Sequence, residues 1–143
     1  MQNNPEIEHL IEQAVNIARD KKHEFVLTEH LLLSMIRHAP FRETLNKFGV
    51  EVEMMDAEID AYLDSLVGIT KSDPNLQPRK TQALERIFNR ANVQVMFTGR
   101  RTMSTVDVYL SIMSENNSHA HYFLLKYGVK KAEFVDFWQK HYN

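Results

Sequence analysis

A chain of 143 residues, 43% of them hydrophobic and 25% charged, has the size and composition of one compact folded domain, which excludes a disordered polypeptide. Its formal charge of −2 withholds the concentrated basic surface that nucleic acid or anionic lipid requires. The absence of cysteine removes disulfides, thiolate nucleophiles and zinc-thiolate sites together, and suits a reducing compartment.

Met1 to Glu6 carry neither a basic run nor an apolar stretch, so no secretory signal is expected. The longest apolar run, Leu31-Leu32-Leu33, falls far short of the roughly 20 residues of a membrane span, and the expectation is a cytoplasmic protein. Asn4 is placed to cap a first helix with Pro5 in its first turn. Ile7, Leu10, Ile11, Ala14, Ile17 and Ala18 then recur at three- and four-residue spacing. After a polar loop over 20–24, Thr28 is expected to cap a second helix through its hydroxyl, with Leu27 and Leu32 as a hydrophobic staple. The body of that helix, 31–36, is apolar almost all round, which predicts burial on several sides. Pro40 marks a break. Phe41, Leu45 and Phe48 line a third helix ended by Gly49, and Val52, Met55, Ile59, Tyr62, Leu63 and Leu66 make a fourth stripe. Residues 68–79 lose the apolar period and gather Gly, Ser, Asp, Asn and two prolines, which predicts a linker.

The pattern then returns. Leu84, Ile87, Phe88, Ala91 and Val95 form a fifth stripe, and Ser104 or Thr105 caps a buried sixth helix carrying Val106, Tyr109, Leu110 and Met113. The last two helices hold Ala120, Phe123, Leu124 and Tyr127, then Phe134, Phe137, Trp138 and Tyr142. Laying the halves together puts Thr28 on Thr105, Leu33 on Leu110 and Ser34 on Ser111; with a small shift, 45–50 falls on 124–129. Cap, buried strip and glycine terminator repeat in one order, so the expected fold is all-α: a duplicated four-helix unit forming a pseudo-two-fold bundle of about eight helices. One domain is expected, with 1–67 as first repeat, 68–79 as linker and 80–143 as second repeat. Leu33 and Leu110 should both be core, and a groove between the halves is the expected place for a partner.

Catalytic constellations are incomplete. The glycines Gly49, Gly68, Gly99 and Gly128 are spread as turn and cap residues and form no phosphate loop, and no Gly-x-Ser-x-Gly elbow occurs. His23-Glu24 with Glu29-His30 offer two imidazoles and two carboxylates, yet Leu27 stands where a zinc-protease helix needs its second histidine. These residues read as a polar loop and a helix start, and His30 as a satisfied core histidine; a metal-binding helical protein is the competing reading. His119 and His121, two apart on a helix, point to different faces. The expectation is a chain with no catalytic residues, no metal and no cofactor.

Thr28-Glu29-His30-Leu31-Leu32-Leu33, preceded by His23-Glu24-Phe25 and followed by the Lys-Phe-Gly-Val and Lys-Tyr-Gly-Val strings at 47–50 and 126–129, resembles the double Clp N-terminal domain over nearly the whole chain. His23-Glu24-Phe25, Gln77-Pro78 and the degenerate second repeat look more like the ClpA type than the ClpC type. The resemblance implies a non-enzymatic docking domain at the front of a hexameric AAA+ unfoldase. Such a domain receives protein substrates directly or through a ClpS-like adaptor that delivers N-degron substrates, and reaches the ClpP peptidase only through an ATPase region outside this sequence. The resemblance also implies adaptor contacts by Glu24 and Thr81, with His23 and Glu29 as neighbouring candidates. Phosphoarginine recognition of the ClpC type is not implied, because Val106 stands where that type carries its second carboxylate. A stand-alone Clp-N protein that competes for adaptor or substrate is the alternative.

Overall fold

Asn4 opens the first helix, its side-chain oxygen accepting the Glu6 N–H at 2.8 Å, and Pro5 is the first residue of α1 (Pro5–Asp20). The computed structural model describes residues 4–70, 73 and 75–142; the readings made of Met1 to Asn3, of linker residues 71, 72 and 74, and of the Tyr142 side chain lie outside the described residues. Buried Ile7, Leu10, Ala14 and Ala18 of α1 face α2 (Thr28–Arg37). Every residue from Thr28 to Ile36 is buried, as the all-round apolar pattern requires, and α2 packs against elements of both halves.

The start of α2 differs from the expectation. Thr28 is the first helical residue and Leu27 is the N-cap, whose N–H is accepted by His30 Nδ1 at 2.8 Å. An imidazole one turn into the helix performs the reciprocal half of a capping box. Pro40 lies in the first turn of α3 (Ala39–Phe48), where its missing N–H costs nothing, and Gly49 ends that helix at φ 100°. α4 (Val52–Asp64) completes the first unit.

The second unit contains α5 (Gln82–Phe97), α6 (Thr105–Met113), α7 (His119–Lys126) and α8 (Lys131–Tyr142), so the described residues form eight helices. The duplication is visible in the hydrogen bonds. Ser34 Oγ donates to Leu10 O and Ser111 Oγ to Ile87 O, each at 2.7 Å and each across 24 residues. Lys22 and Gly99, which close the equivalent α1 and α5 turns, are both left-handed, at φ 62° and 75°.

Two short strands stitch the halves together. β1 (Phe25–Val26) pairs in parallel with β2 (Arg79–Lys80), Phe25 opposite Arg79 and Val26 opposite Lys80. Arg79, expected as the last linker residue, therefore belongs to a strand. On the other side of the bundle Phe134 of α8 lies 5.4 Å from Phe48, and Tyr109 lies 4.6 Å from Phe41. The terminal aromatics thus close the second unit onto the first. Among the described residues no helix is long and apolar enough to cross a membrane.

Leu33 is fully buried, but Leu110 is only partly so; Tyr109 fills the core beside it. Leu33→Ala is expected to lower the unfolding free energy by about 2–5 kcal/mol in urea titrations, whereas Leu110→Ala removes fewer contacts and should cost less than about 2 kcal/mol. Equal losses at the two positions would contradict this placement.

Candidate functional site

A cleft of about 360 Å³ opens between the repeats, where the start of α2 and Tyr62 of α4 meet the start of α5 and the segment leading into α7. The β1–β2 brace lies at its side, because Thr81 follows β2 directly and is the N-cap of α5. Glu24 and Thr81 are brought together there by main-chain pairing. Arg79 N–H donates to Glu24 O at 2.8 Å, and the Thr81 hydroxyl and N–H both donate to Val26 O, at 3.0 and 3.3 Å. Thr81 makes no side-chain capping bond; its hydroxyl joins the two halves instead.

Glu24 is half-buried, and its carboxylate extends from a backbone fixed on both sides: its N–H donates to Ile69 O at 2.6 Å. Its Oε1 lies 3.1 Å from Arg79 Nη2, in an exposed pair. Arg79 also lies over the Phe25 ring, 5.3 Å from its centroid. Exposed pairs of this kind contribute at most about 1 kcal/mol, so a stronger donor on another molecule can displace the arginine.

His23 and Glu29 are more deeply buried. His23 is 2% exposed and its Nδ1 is 2.8 Å from His30 Nε2. Because His30 Nδ1 already accepts the Leu27 N–H, its proton sits on Nε2 and is donated to His23 Nδ1, which requires both rings to be neutral. Burial drives the His30 pKa down to about 3 and lowers that of His23; Lys21 adds to both shifts, and Asp64 opposes the second. Glu29, 6% exposed, accepts the Ala120 N–H at 2.9 Å, an orphan donor in the first turn of α7. Burial raises the Glu29 pKa while that N–H and its neighbours hold it down. Both residues were expected as adaptor contacts. In the fold both are buried: His23 holds the loop that carries Glu24, and Glu29 ties the two repeats together at the floor of the cleft.

Two further features of the cleft have no local sequence signal. Tyr62 and His119 stack with centroids 4.3 Å apart, and the Tyr62 hydroxyl lies 2.9 Å from His119 Nδ1. Arg86 and Glu115 also line the cleft, and Arg86 and Arg90 bond the two oxygens of Glu115 at 2.8 and 2.6 Å. His121 turns the other way, its Nδ1 3.0 Å from Met113 O. Among the described residues no cluster of three or more His, Asp or Glu is arranged to hold a metal ion.

The family described as Clp repeat (R) N-terminal domain matches residues 4–127. The chain belongs to this family. Relatives of this Clp repeat domain include the ClpA homolog protein of Fuscovulum blasticum, 26% identical over 132 residues, which cover 92% of this chain and 17% of the relative. The ATP-dependent Clp protease ATP-binding subunit ClpA homolog of Trieres chinensis is 31% identical over 114 residues, covering 78% of this chain and 12% of the relative. The chain thus spans less than a fifth of either relative's length. The fold matches the Hsp104 N-terminal domain from Candida albicans with TM-score 0.81 at 11% identity, over 96% of this chain and 89% of that one. It matches the N-terminal domain of the ClpV1 ATPase from E. coli with TM-score 0.74 at 16% identity, over 93% and 81%.

The neutral histidine pair of the Clp repeat domain predicts acid sensitivity. Both folded pKa values lie below the ordinary value near 6.5, so the unfolded chain takes up protons first as pH falls. The stabilisation is complete above about pH 6.5 and declines below it, by up to about 1.4 kcal/mol per pH unit for each histidine. Urea unfolding at pH 7.5 and 5.0 should show the loss, and His30→Gln should flatten it; equal stability at both pH values would mean that the pair is not held neutral.

Proposed function

We propose that this chain is the substrate- and adaptor-docking N-terminal domain of a ClpA-like AAA+ protein unfoldase of the cytoplasm, and that it binds a ClpS-like adaptor for ATP-dependent proteolysis. The observation that supports this most is the half-open carboxylate of Glu24 on a backbone braced by β1 and β2 beside the inter-repeat cleft. A preordered anchor costs little entropy when a partner arrives. An extended adaptor segment can donate charge-assisted hydrogen bonds to Glu24 in place of Arg79, and such bonds are about twice as strong as neutral ones.

In this reading the domain performs no chemistry of its own. It concentrates protein substrates next to an ATPase region carried elsewhere in the unfoldase, which passes them to a ClpP-like peptidase. Family membership and the ClpA-homolog relatives support that context.

The test is a titration with purified ClpS-type adaptor. Glu24→Lys should weaken binding roughly tenfold or more, equivalent to about 1.4 kcal/mol, with unchanged helical circular dichroism. Arg79→Ala, which frees the carboxylate, should strengthen binding by a factor of about two to five. If both variants bind as the parent does, the Glu24 edge is not the docking surface.

A further inference from the structure

The outward stripe of α5 carries Val93, Met96 and Phe97, which are 52%, 68% and 83% exposed. Three- and four-residue spacing sets them side by side, opposite the buried stripe of Leu84, Ile87, Ala91 and Val95. The fold does not ask for apolar residues there. In α1, whose buried stripe Ile7, Leu10, Ala14 and Ala18 matches that of α5 in register, the corresponding positions are Asn16, Arg19 and Asp20. Single exposed apolar side chains are ordinary, but a contiguous trio on a rigid helix marks an interaction surface.

The border of this patch is mainly cationic, with exposed Glu85 beside Arg86 as its acidic member. Between Glu85 and Asp107 the chain has no acidic residue, and it has Arg86, Arg90, Arg100 and Arg101. Arg86 shares the outward stripe on the N-terminal side of the trio, and the carboxylate that it and Arg90 bond, Glu115, is turned inward. Beyond the C-terminal side, Arg100 pairs with buried Asp107, while Arg101 is exposed and makes no ion pair among the described residues. Arg86, Arg90 and Arg100 are thus three cations held on two inward carboxylates, and with exposed Arg101 the stretch between Glu85 and Asp107 keeps a net positive charge.

We propose that this face of α5 docks an acidic amphipathic helix of another protein, whose apolar side chains cover Val93, Met96 and Phe97 and whose carboxylates meet the arginines at either end. A second copy of this chain is a poor occupant, because two-fold pairing over the trio sets arginines against arginines. The surface is distinct from the Glu24 edge: Phe97 ends the helix that Thr81 begins, roughly 20 Å away along its axis.

The probes are two synthetic amphipathic helical peptides with the same Leu and Phe face, one with Glu and one with Lys on its polar face, titrated by fluorescence anisotropy. The Glu peptide should bind roughly tenfold tighter than the Lys peptide, and raised salt should narrow the gap. Replacing Met96→Ser and Phe97→Ser together should weaken it by a further factor of about ten at unchanged circular dichroism, and Arg101→Glu should reduce the preference for Glu. Equal binding of the two peptides, no binding of either at millimolar concentration, or indifference to the double variant would overturn the proposal. So would self-association in sedimentation that the double variant abolishes.

Discussion

Helix α2 has no solvent face along nine consecutive residues, Thr28 to Ile36, and this governs the rest of the structure. Polar groups on such a helix must find partners inside the protein, since a buried unsatisfied group costs about 1–3 kcal/mol. Each solution joins α2 to something different. Ser34 bonds the α1 carbonyl of Leu10, His30 holds both Leu27 and His23, and Glu29 crosses to Ala120 at the start of α7. Orientation of α1, conformation of the 21–27 loop and docking of the second repeat all follow from satisfying one helix.

The second repeat keeps this geometry and changes its chemistry. Where His30 accepts the N-cap N–H of α2, Asp107 accepts that of Ser104; where His23 meets His30 seven residues on, Arg100 meets Asp107 across the same seven. One unit thus closes its loop with two neutral imidazoles and the other with a bidentate ion pair. The first depends on both imidazoles staying neutral, and the second on a charge-assisted pair of hydrogen bonds. Since the histidine pair anchors the loop that bears Glu24, the proposed docking edge rests on the device built from neutral imidazoles.

That edge is rigid although it lies outside the helices. Main-chain bonds from Ile69, Arg79 and Thr81 enclose the segment 24–26, so the region between the repeats is sewn back onto the first loop. A surface built this way presents Glu24 without first ordering it, which suits recognition of an extended partner segment. The outward face of α5 is equally preformed, but it is apolar with a cationic border and calls for a different partner.

Local physics made much of this legible. Apolar periodicity, the Asn4 and Ser104 caps and the Gly49 terminator specify helices through contacts within a few residues, so eight helices, their order and the duplication could be read directly. The string from His23 to Leu33 also pointed to the family. The sequence could not tell which polar residues of that string face outward. His23 and Glu29 turned inward, Thr81 spent its hydroxyl on Val26, and Tyr62 met His119, through contacts 91, 55 and 57 residues apart for the last three. Helix spacing fixes which face a residue occupies, but only the packing of one repeat on the other decides whether that face meets water, and with it whether a carboxylate is a docking contact or a tie between helices.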